Sequence, residues 1–324
     1  MKRRKQIGIL LIVAMAVGCI AETQRAVARL AVEATDSTPT PTEELKRRQD
    51  YPSLRDASDA DMHRALVMQV AKLRLTQAVQ QKQLGIALVD ITDPGYPRMA
   101  DVNGDVMFYA ASLPKIAILL GAFQRAAEGT LPLDDIIVSQ LTRMIRYSSN
   151  ADATVMLNRV GKDYLAELLQ SDRYKLYDPS YGGGLWVGKE YAKTGAWKRD
   201  PINNFSHGAT AYEVARFYYL LETDRLVSAE SCRRMKEILS KPAITHKFVR
   251  GLNHHRPGSS IYRKSGSWKY FHSDSAIVER DGRRYIAVAW AVDPRGDEWL
   301  SRLIVALDDI IFAPANMMPS TQPT

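Results

Sequence analysis

Three short polar motifs in the 324-residue chain contain side chains that can do covalent chemistry. The first is Ser112-Leu-Pro-Lys115, which follows a strand-like stretch and opens a predicted helix. Positions i and i+3 of a helix share one face, so the Lys115 amine is expected beside the Ser112 hydroxyl. A hydroxyl is a weak nucleophile that needs an adjacent base, and a lysine can act as that base once burial makes it neutral. The motif therefore predicts nucleophilic catalysis by Ser112.

The second and third motifs are Ser148-Ser149-Asn150 and Lys264-Ser265-Gly266-Ser267. Alone, the second motif is typical of a helix N-cap, since serine and asparagine are good capping residues. In the third, a lysine and a hydroxyl on a strand edge can bind a carboxylate, and the glycine lets a substrate approach the backbone. Lys193-Thr194-Gly195 is a competing version of the third motif, but no strand precedes it and no hairpin follows it. We therefore assign the third motif to Lys264.

Strands are predicted in two groups, one before the first motif and one around the third. They are Ile86–Ile91, Val106–Ala110, Ile261–Ser265, Ser275–Arg280 and Tyr285–Val292. The last two are separated by Asp281-Gly282, which is a strong signal for a two-residue hairpin.

Helices are predicted before, between and after these strands. Ser58 and Asp61 resemble a capping box, which opens a helix that ends near Gly85. The chain from Leu113 to about Leu239 is mainly helical, and an amphipathic helix follows from about Glu298 to Ile311. This order predicts an α+β fold: a five-stranded antiparallel sheet flanked by N- and C-terminal helices, with an inserted all-helical subdomain.

Taken together, the motifs resemble those of the serine penicillin-recognising enzymes, which are the class A β-lactamases and their D,D-peptidase relatives. The motif set of that family is S-x-x-K, S-D-N and K-T-G, and here the three occur in family order. The resemblance covers about residues 58–312, and the segments Phe108–Lys115 and Tyr147–Thr154 also look like the family's local contexts. It implies a class A β-lactamase-like fold and a hydrolase that opens a β-lactam amide through an acyl-enzyme.

The resemblance also implies a role for each catalytic residue. Ser112 attacks the amide carbonyl, and Lys115 takes its proton directly or through water. Ser148 relays a proton to the leaving nitrogen. The backbone N–H groups of Ser112 and Ser267 form the oxyanion hole, which is often the largest electrostatic contribution in acyl transfer.

For substrate binding, the resemblance implies that Asn150 holds the substrate's side-chain amide. Lys264 and Ser265 bind the substrate carboxylate beside Gly266, because a fixed cation suits an anionic ligand. The family often carries an arginine on the next strand as a second clamp. This chain has Asp274 in that stretch, which we expect to pair with a nearby lysine.

The chain lacks the segment that carries the water-activating glutamate in class A β-lactamases. Class A β-lactamases carry a Glu-x-x-Leu-Asn segment whose glutamate activates the deacylating water, and nothing between Asn150 and His207 matches it. Glu190 is a weak candidate for that general base. We therefore predict acylation with slow or divergent deacylation.

Two other functions fit the same motifs. One is a D,D-peptidase or transpeptidase that acts on peptidoglycan stem peptides, since such enzymes do not share the water-activating glutamate. The other is non-enzymatic, a penicillin-binding sensor or scaffold without turnover. All three take a β-lactam or a stem peptide as ligand, and none requires a metal or cofactor. The sequence leaves the oligomeric state open.

Four aromatic residues lie between or beside the motifs: Trp186, Tyr191, Trp197 and Trp268. They either line a substrate groove or pack in the core, and core packing is the default for any one of them.

Charge and composition bear on the location of the protein. The net charge is +8, but Lys2, Arg3, Arg4 and Lys5 precede an apolar run from Ile7 to Val17, which is typical of a secretory signal. That run is too short to span a bilayer. Removal of residues 1–21 takes away four positive charges from +8 and leaves +4, so a nucleic-acid partner loses its main support. We expect an exported protein of the periplasm or cell envelope.

Ala16-Val17-Gly18-Cys19 resembles a bacterial lipobox. The alternatives are a lipid anchor on Cys19, which would be the only membrane contact, and plain cleavage after Ala21. Cys232 is expected to be a buried thiol on a helix. The predicted organisation is a signal peptide (1–21), a Pro/Thr-containing linker (22–57), the hydrolase domain (58–313) and a tail (314–324).

Overall fold

Ten strands are present in a computed structural model that describes residues 51–191 and 195–313. They are β1 (Leu84–Asp90), β2 (Arg98–Val102), β3 (Phe108–Tyr109), β4 (Tyr177–Asp178), β5 (Gly183–Gly184), β6 (Trp186–Val187), β7 (His207–Ala209), β8 (Ser260–Trp268), β9 (Phe271–Arg280) and β10 (Arg283–Val292). Five of them form an antiparallel sheet in the order β2-β1-β10-β9-β8. Strands β3, β7 and β6, in that order, form a second small sheet, and β4 pairs with β5.

The helices, in chain order, occur before, between and after the strands. They are α1 (Ala60–Lys72), α2 (Thr76–Gln80), α3 (Lys115–Ala127), α4 (Asp135–Arg146), α5 (Asn150–Val160), α6 (Lys162–Gln170), α7 (Ala211–Glu222), α8 (Ala229–Leu239), α9 (Phe248–His255) and α10 (Gly296–Phe312). Within the described ranges, none of these helices is long and apolar enough to cross a bilayer. The signal-like residues, Cys19, Lys193, Thr194 and the tail from 314 lie outside the described residues.

The five-stranded sheet is buried on both faces, because alternate residues of its central strands enter two hydrophobic cores. In β10, Tyr285 and Ala287 belong to a core shared with α1, α9 and α10. The intervening Ile286 and Val288 belong to a larger core shared with helices α3 to α8. The predicted α+β architecture, with terminal helices on the sheet and a helical insert, is confirmed.

The second strand of the sheet differs from the prediction. Arg98–Val102 pairs with β1, whereas the predicted strand Val106–Ala110 contains only the two-residue β3, which pairs with β7 in the small sheet. Arg98–Val102 is the outer strand and is only half-buried, so its sequence lacks a continuous apolar run. Edge strands of this kind have weak sequence signals because one side faces solvent.

The first helix also differs from the prediction. Its N-cap is Asp59, whose carboxylate accepts a hydrogen bond from the Met62 N–H at 2.9 Å, whereas Ser58 pairs with the strand residue Met99. The helical region divides into α1 and α2, and Arg74 at the break has a positive φ of 61°. Gly85 lies inside β1, where a Cβ atom would overlap the indole ring of Trp290.

Two tight turns connect the last three strands of the sheet. The predicted Asp281-Gly282 hairpin joins β9 to β10, and both residues have positive φ values, 47° and 75°. A second turn at Lys269 and Tyr270 joins β8 to β9, with φ of 51° at Lys269. Without a glycine, this second turn carries no comparable sequence signal. Cys232 is buried on α8, as predicted, and its thiol donates to the Leu226 carbonyl at 2.9 Å.

A buried ion pair fixes β8 to β9 directly below the third motif. The Arg263 guanidinium donates to both oxygens of Asp274 at 2.7 Å, and also to the Ile244 carbonyl at 2.7 Å. Asp274 accepts a further bond from the Phe248 N–H. The expectation that Asp274 pairs with a lysine is wrong, because the arginine next to Lys264 in sequence takes both carboxylate oxygens.

Replacing Arg263 with methionine is expected to lower the free energy of unfolding by about 3–5 kcal/mol, because the Asp274 carboxylate then stays buried without its ion partner. Urea unfolding followed by circular dichroism measures this change. Arg233→Met is the control, since Arg233 pairs with Glu230 on an exposed helix face and its loss should leave stability nearly unchanged. Equal effects of the two variants would contradict the argument.

Candidate active site

The first motif forms a tight turn between β3 and α3. The Ala110 N–H donates to the His207 carbonyl at 2.9 Å, which anchors the turn to β7. Ala111 then adopts a positive φ of 51°, a conformation that costs a non-glycine residue about 1–3 kcal/mol and is commonest at functional sites. This turn places Ser112 half-buried at the entrance to the helix. The helix itself begins at Lys115, with Pro114 as its N-cap.

Lys115 is fully buried, and its ammonium group contacts the second motif. It donates to the Ser148 carbonyl at 2.6 Å, to Asn150 Oδ1 at 2.8 Å and to Ser148 Oγ at 3.3 Å. None of its hydrogen bonds within the described chain reaches Ser112 Oγ. Burial lowers the pKa of Lys115 to about 7, so the amine is partly neutral near neutral pH. A group with such a pKa is suited to general base catalysis.

The second motif combines a helix cap with a hydroxyl between two lysines. Ser149 caps α5 by accepting a hydrogen bond from the Asp152 N–H, and Asn150 is the first residue of that helix. Ser148, at a positive φ of 55°, lies on the other side of the cap. Its Oγ accepts a hydrogen bond from Lys264 Nζ at 2.9 Å in addition to the Lys115 bond. The hydroxyl therefore bridges the two lysines of the first and third motifs.

Lys264 is buried in β8, and its hydrogen-bond acceptors within the described residues are neutral oxygens. Besides Ser148, its ammonium group donates to the Ser265 carbonyl at 2.7 Å. Burial and the nearby Lys115 lower the pKa of Lys264 well below its usual range. An anion bound beside Lys264 would restore the charged form, so this lysine is suited to hold a carboxylate.

Gly266 brings the third motif into contact with the nucleophile turn. A Cβ atom at this position would lie 2.9 Å from Ser112 N and 2.8 Å from Ser273 Oγ, and it would overlap the Ala110 carbonyl oxygen. Only glycine fits so close an approach. The Ser112 N–H, which donates to no acceptor in residues 51–191 and 195–313, thus lies beside the strand that carries Ser267. This is the arrangement that a two-donor oxyanion hole needs.

A buried lysine that sequence reasoning missed, Lys247, lies in the loop before α9. Its ammonium group donates to the Gly266 carbonyl at 2.6 Å, to Ser267 Oγ at 2.7 Å and to the Ser273 carbonyl at 3.1 Å. Burial lowers its pKa to about 8. Lys247 therefore ties together the ends of β8 and β9 and adds a cation next to Ser267. A single lysine in an irregular loop has no pattern from which this position could be found.

A cleft of about 410 Å³ opens at Ser112. Its walls include residues of all three motif regions and several side chains between them: Tyr109, Ala111, Ser112, Asn150, Lys189, Glu190, Tyr191, His207, Ser267 and Trp268. Two of the four aromatic candidates thus line the cleft, whereas Trp186 is core and Trp197 is partly exposed elsewhere. A larger cavity, about 700 Å³ between α8 and the start of β8, contains none of the three motifs.

Two cleft residues are candidates for activating water, and both are restrained. Glu190 Oε1 accepts a hydrogen bond from Lys162 Nζ at 2.7 Å, so its charge is paired. Burial, together with Lys189 and Lys115, lowers the pKa of His207 to about 3. The imidazole is therefore neutral at physiological pH and a poor base.

A family model described as the beta-lactamase enzyme family matches residues 66–140 and 137–312. The chain belongs to this family. The beta-lactamase-like fold is also found among solved structures. The structure of PBP-A is 19% identical in sequence to this chain, with a TM-score of 0.55, and the alignment covers 73% of this chain and 96% of PBP-A. The beta-lactamase of Sphaerobacter thermophilus DSM 20745 is 17% identical with a TM-score of 0.61, covering 76% and 98% of the two chains.

A further similar structure is a leucine-to-glutamate mutant of PBP-A, described as an acyl-enzyme complex with penicillin G. It is 19% identical with a TM-score of 0.55, and the alignment covers 74% of this beta-lactamase family member and 97% of the mutant. No curated protein sequence matches the chain. At these identities the structural likeness establishes the fold, and the chemistry has to be argued from the site itself.

Gly266→Ala is expected to slow covalent labelling by a fluorescent penicillin on the order of 100-fold, because the added methyl group pushes β8 away from Ser112 and misplaces the reacting groups. Gly95→Ala is the matched control, since a Cβ atom there meets only the Asp93 side chain, at 3.3 Å. Circular dichroism establishes that both variants are folded. Labelling of folded Gly266→Ala at the unmodified rate would contradict the close packing described here.

Proposed function

We propose that the protein is a serine hydrolase that opens β-lactam amides through an acyl-enzyme on Ser112 and deacylates slowly. The observation that carries the proposal is the convergence of two buried lysines, Lys115 and Lys264, on the hydroxyl of Ser148 at 3.3 and 2.9 Å. Lys115 also contacts Asn150 and the Tyr191 ring, which line the cleft that contains Ser112. These contacts support a nucleophile, a near-neutral base and a proton relay that act at one cleft.

In the proposed acylation, Ser112 Oγ forms a bond to the lactam carbonyl carbon and gives its proton to neutral Lys115. The Ser112 and Ser267 N–H groups stabilise the negative charge that develops on the carbonyl oxygen. The carbon–nitrogen bond then breaks, and the leaving nitrogen takes a proton from the Ser148 hydroxyl. Ser148 is reprotonated by Lys115 through the existing hydrogen bond, so the proton that left Ser112 is accounted for.

Substrate orientation follows from the charges around the cleft. Lys264 and the Ser265 hydroxyl bind the carboxylate, and Lys247 adds a second positive charge behind Ser267. Because Asn150 Oδ1 accepts from Lys115, the NH₂ group of Asn150 is the part that would donate to the substrate's side-chain amide. β-Lactams and peptidoglycan stem peptides are met outside the cytoplasm, which agrees with the export signal predicted over residues 1–21.

Slow deacylation is supported by the restrained state of both water-activating candidates, Glu190 and His207. The same feature favours a second candidate function, a D,D-peptidase on peptidoglycan stem peptides, in which the acyl group passes to another acceptor or is released slowly. The likeness to PBP-A and to the beta-lactamases concerns the fold and does not choose between the two functions.

Incubation with benzylpenicillin is expected to add one penicillin mass to the protein, and Ser112→Ala is expected to abolish the adduct because it removes the nucleophile. Intact-mass spectrometry over time makes the measurement, and Ser180→Ala, at an exposed serine, is the control. An adduct that decays slowly with release of hydrolysed penicillin supports the proposed lactamase, whereas an adduct that persists without any hydrolysed product favours the peptidase or a non-hydrolysing sensor. Absence of an adduct on the folded protein would overturn the acyl-enzyme proposal.

The acylation rate is expected to rise with pH and to level off above a midpoint near 7. Lys115 has a folded pKa of about 7, below its usual 10.5, so it accepts a proton only once pH exceeds that value. Below the midpoint the rate should fall about tenfold per pH unit, since the neutral fraction does so. Stopped-flow labelling between pH 5 and 8 tests this expectation. A flat profile would exclude Lys115 as the base.

A further inference from the structure

Tyr191 covers the side of the cleft next to Lys115. Its ring centroid lies 4.5 Å from Lys115 Nζ, and only 6% of the residue is exposed. The ring of His207 stacks on that of Tyr191, with centroids 4.3 Å apart and planes 5° from parallel. An aromatic face thus adjoins the base beside the nucleophile.

Tyr191 and its immediate neighbours contact three other elements of the fold. The hydroxyl of Thr154, on α5, donates to the Tyr191 carbonyl at 2.9 Å. The preceding residue, Glu190, is tied to Lys162 on α6 at 2.7 Å. His207 belongs to β7, and its carbonyl accepts the Ala110 N–H of the nucleophile turn. Contacts from different elements therefore hold the backbone at Tyr191 and stack one neighbouring ring on its side chain.

Hydrolysis of an acyl-enzyme needs a water molecule beside the ester. The water oxygen bonds to the ester carbonyl carbon, the bond from that carbon to Ser112 Oγ breaks, and Ser112 regains a proton. The proton released by the water must pass to a base, and with Glu190 paired to Lys162, the near-neutral Lys115 is a base that can accept it. The Tyr191 ring lies against this amine and lines the cleft that contains Ser112.

We propose that Tyr191 is a shielding residue that prolongs the life of the acyl-enzyme, because its ring keeps hydrolytic water away from Lys115 and from the ester on Ser112. The inference deepens the proposed function and rests on it, since it concerns the fate of the acyl-enzyme. Slow deacylation then has two causes: the Tyr191 ring excludes water, and within the described chain no suitable carboxylate is available to activate it.

The first test compares the lifetimes of preformed penicillin adducts. Tyr191→Ala is expected to shorten the half-life of the adduct at least tenfold, as measured by intact mass after removal of free benzylpenicillin. Tyr191→Phe keeps the ring and removes a hydroxyl that has no hydrogen-bond partner within the described chain, so the adduct should stay long-lived. Tyr96→Ala, which removes an aromatic side chain that is 82% exposed, is the matched control.

Loss of the adduct from Tyr191→Ala at the wild-type rate would overturn the proposal, and so would equally rapid loss from Tyr191→Phe. Tyr191→Leu serves as a second opening variant if alanine prevents folding, because leucine retains apolar packing while removing the flat ring. Its adduct should also be lost faster than that of the wild type, and an unchanged half-life would count against shielding.

A second test needs no penicillin and separates this inference from the proposed function. Lys115 in the folded protein is treated briefly with acetic anhydride, and its acetylation is measured by peptide mass spectrometry. We expect at least tenfold faster acetylation in Tyr191→Ala than in the wild type or in Tyr191→Phe. Equal rates would overturn the shielding even where adducts form. Faster acetylation without any wild-type adduct would overturn the proposed function, and the lifetime role with it.

Discussion

Burial of lysine ammonium groups without carboxylate partners is the constraint on which the rest of the site depends. Lys115, Lys247 and Lys264 are each almost completely removed from solvent, and the acceptors of their hydrogen bonds are carbonyl, hydroxyl and amide oxygens. Removing a charge from water is costly unless it is paired and hydrogen-bonded. The Asp274 carboxylate attracts Lys247 and Lys264 but forms its ion pair with Arg263. Within the described residues, the three lysines therefore have hydrogen-bond acceptors but no carboxylate in an ion pair with them.

The fold supplies these acceptors by bringing together elements that are far apart in sequence. Lys115 at the start of α3 reaches the backbone before α5, and Lys264 on β8 reaches the same hydroxyl from the opposite side. Lys247 fixes the end of the β8–β9 hairpin, and the Arg263–Asp274 pair holds the same two strands next to it, farther from the turn. Because the sheet is buried on both faces, β8 has little freedom to shift. Rigid placement of this kind is what electrostatic stabilisation of a transition state requires.

The site residues that the sequence predicts share a local signature. Ser112, Ser148 and Lys264 each lie in a short motif at the junction of two elements, and the structure brings all three motif regions to one cleft. The strands on either side of Asp281-Gly282 could be predicted, because the hairpin residues and the spacing of apolar residues are both local features of the sequence. The family and the fold could therefore be predicted before any coordinates were available.

Other features depend on contacts between distant segments and had no such signature. Arg98–Val102 was missed as an edge strand, and the start of the first helix was misplaced by one residue because Ser58 and Asp59 are both good caps. Tyr191 and Lys247 owe their places in the site to burial by neighbours more than 15 residues away along the chain. Burial of one polar or aromatic residue in an irregular loop is a tertiary property, so composition and periodicity carry no information about it.

Lys115 and Lys264, which share the Ser148 hydroxyl, both have lowered pKa values, and this affects proton exchange with the solvent. With a pKa of about 7 for Lys115 and a lowered pKa for Lys264, the empty cleft at neutral pH holds fewer protons than two ordinary lysines would. An arriving carboxylate favours the charged form of Lys264, so binding of the anion draws protons from the buffer. The enthalpy of binding would then vary with the ionisation enthalpy of that buffer. The cleft thus takes up protons together with an anion, and the acidity of the surroundings helps to set how tightly the anion is held.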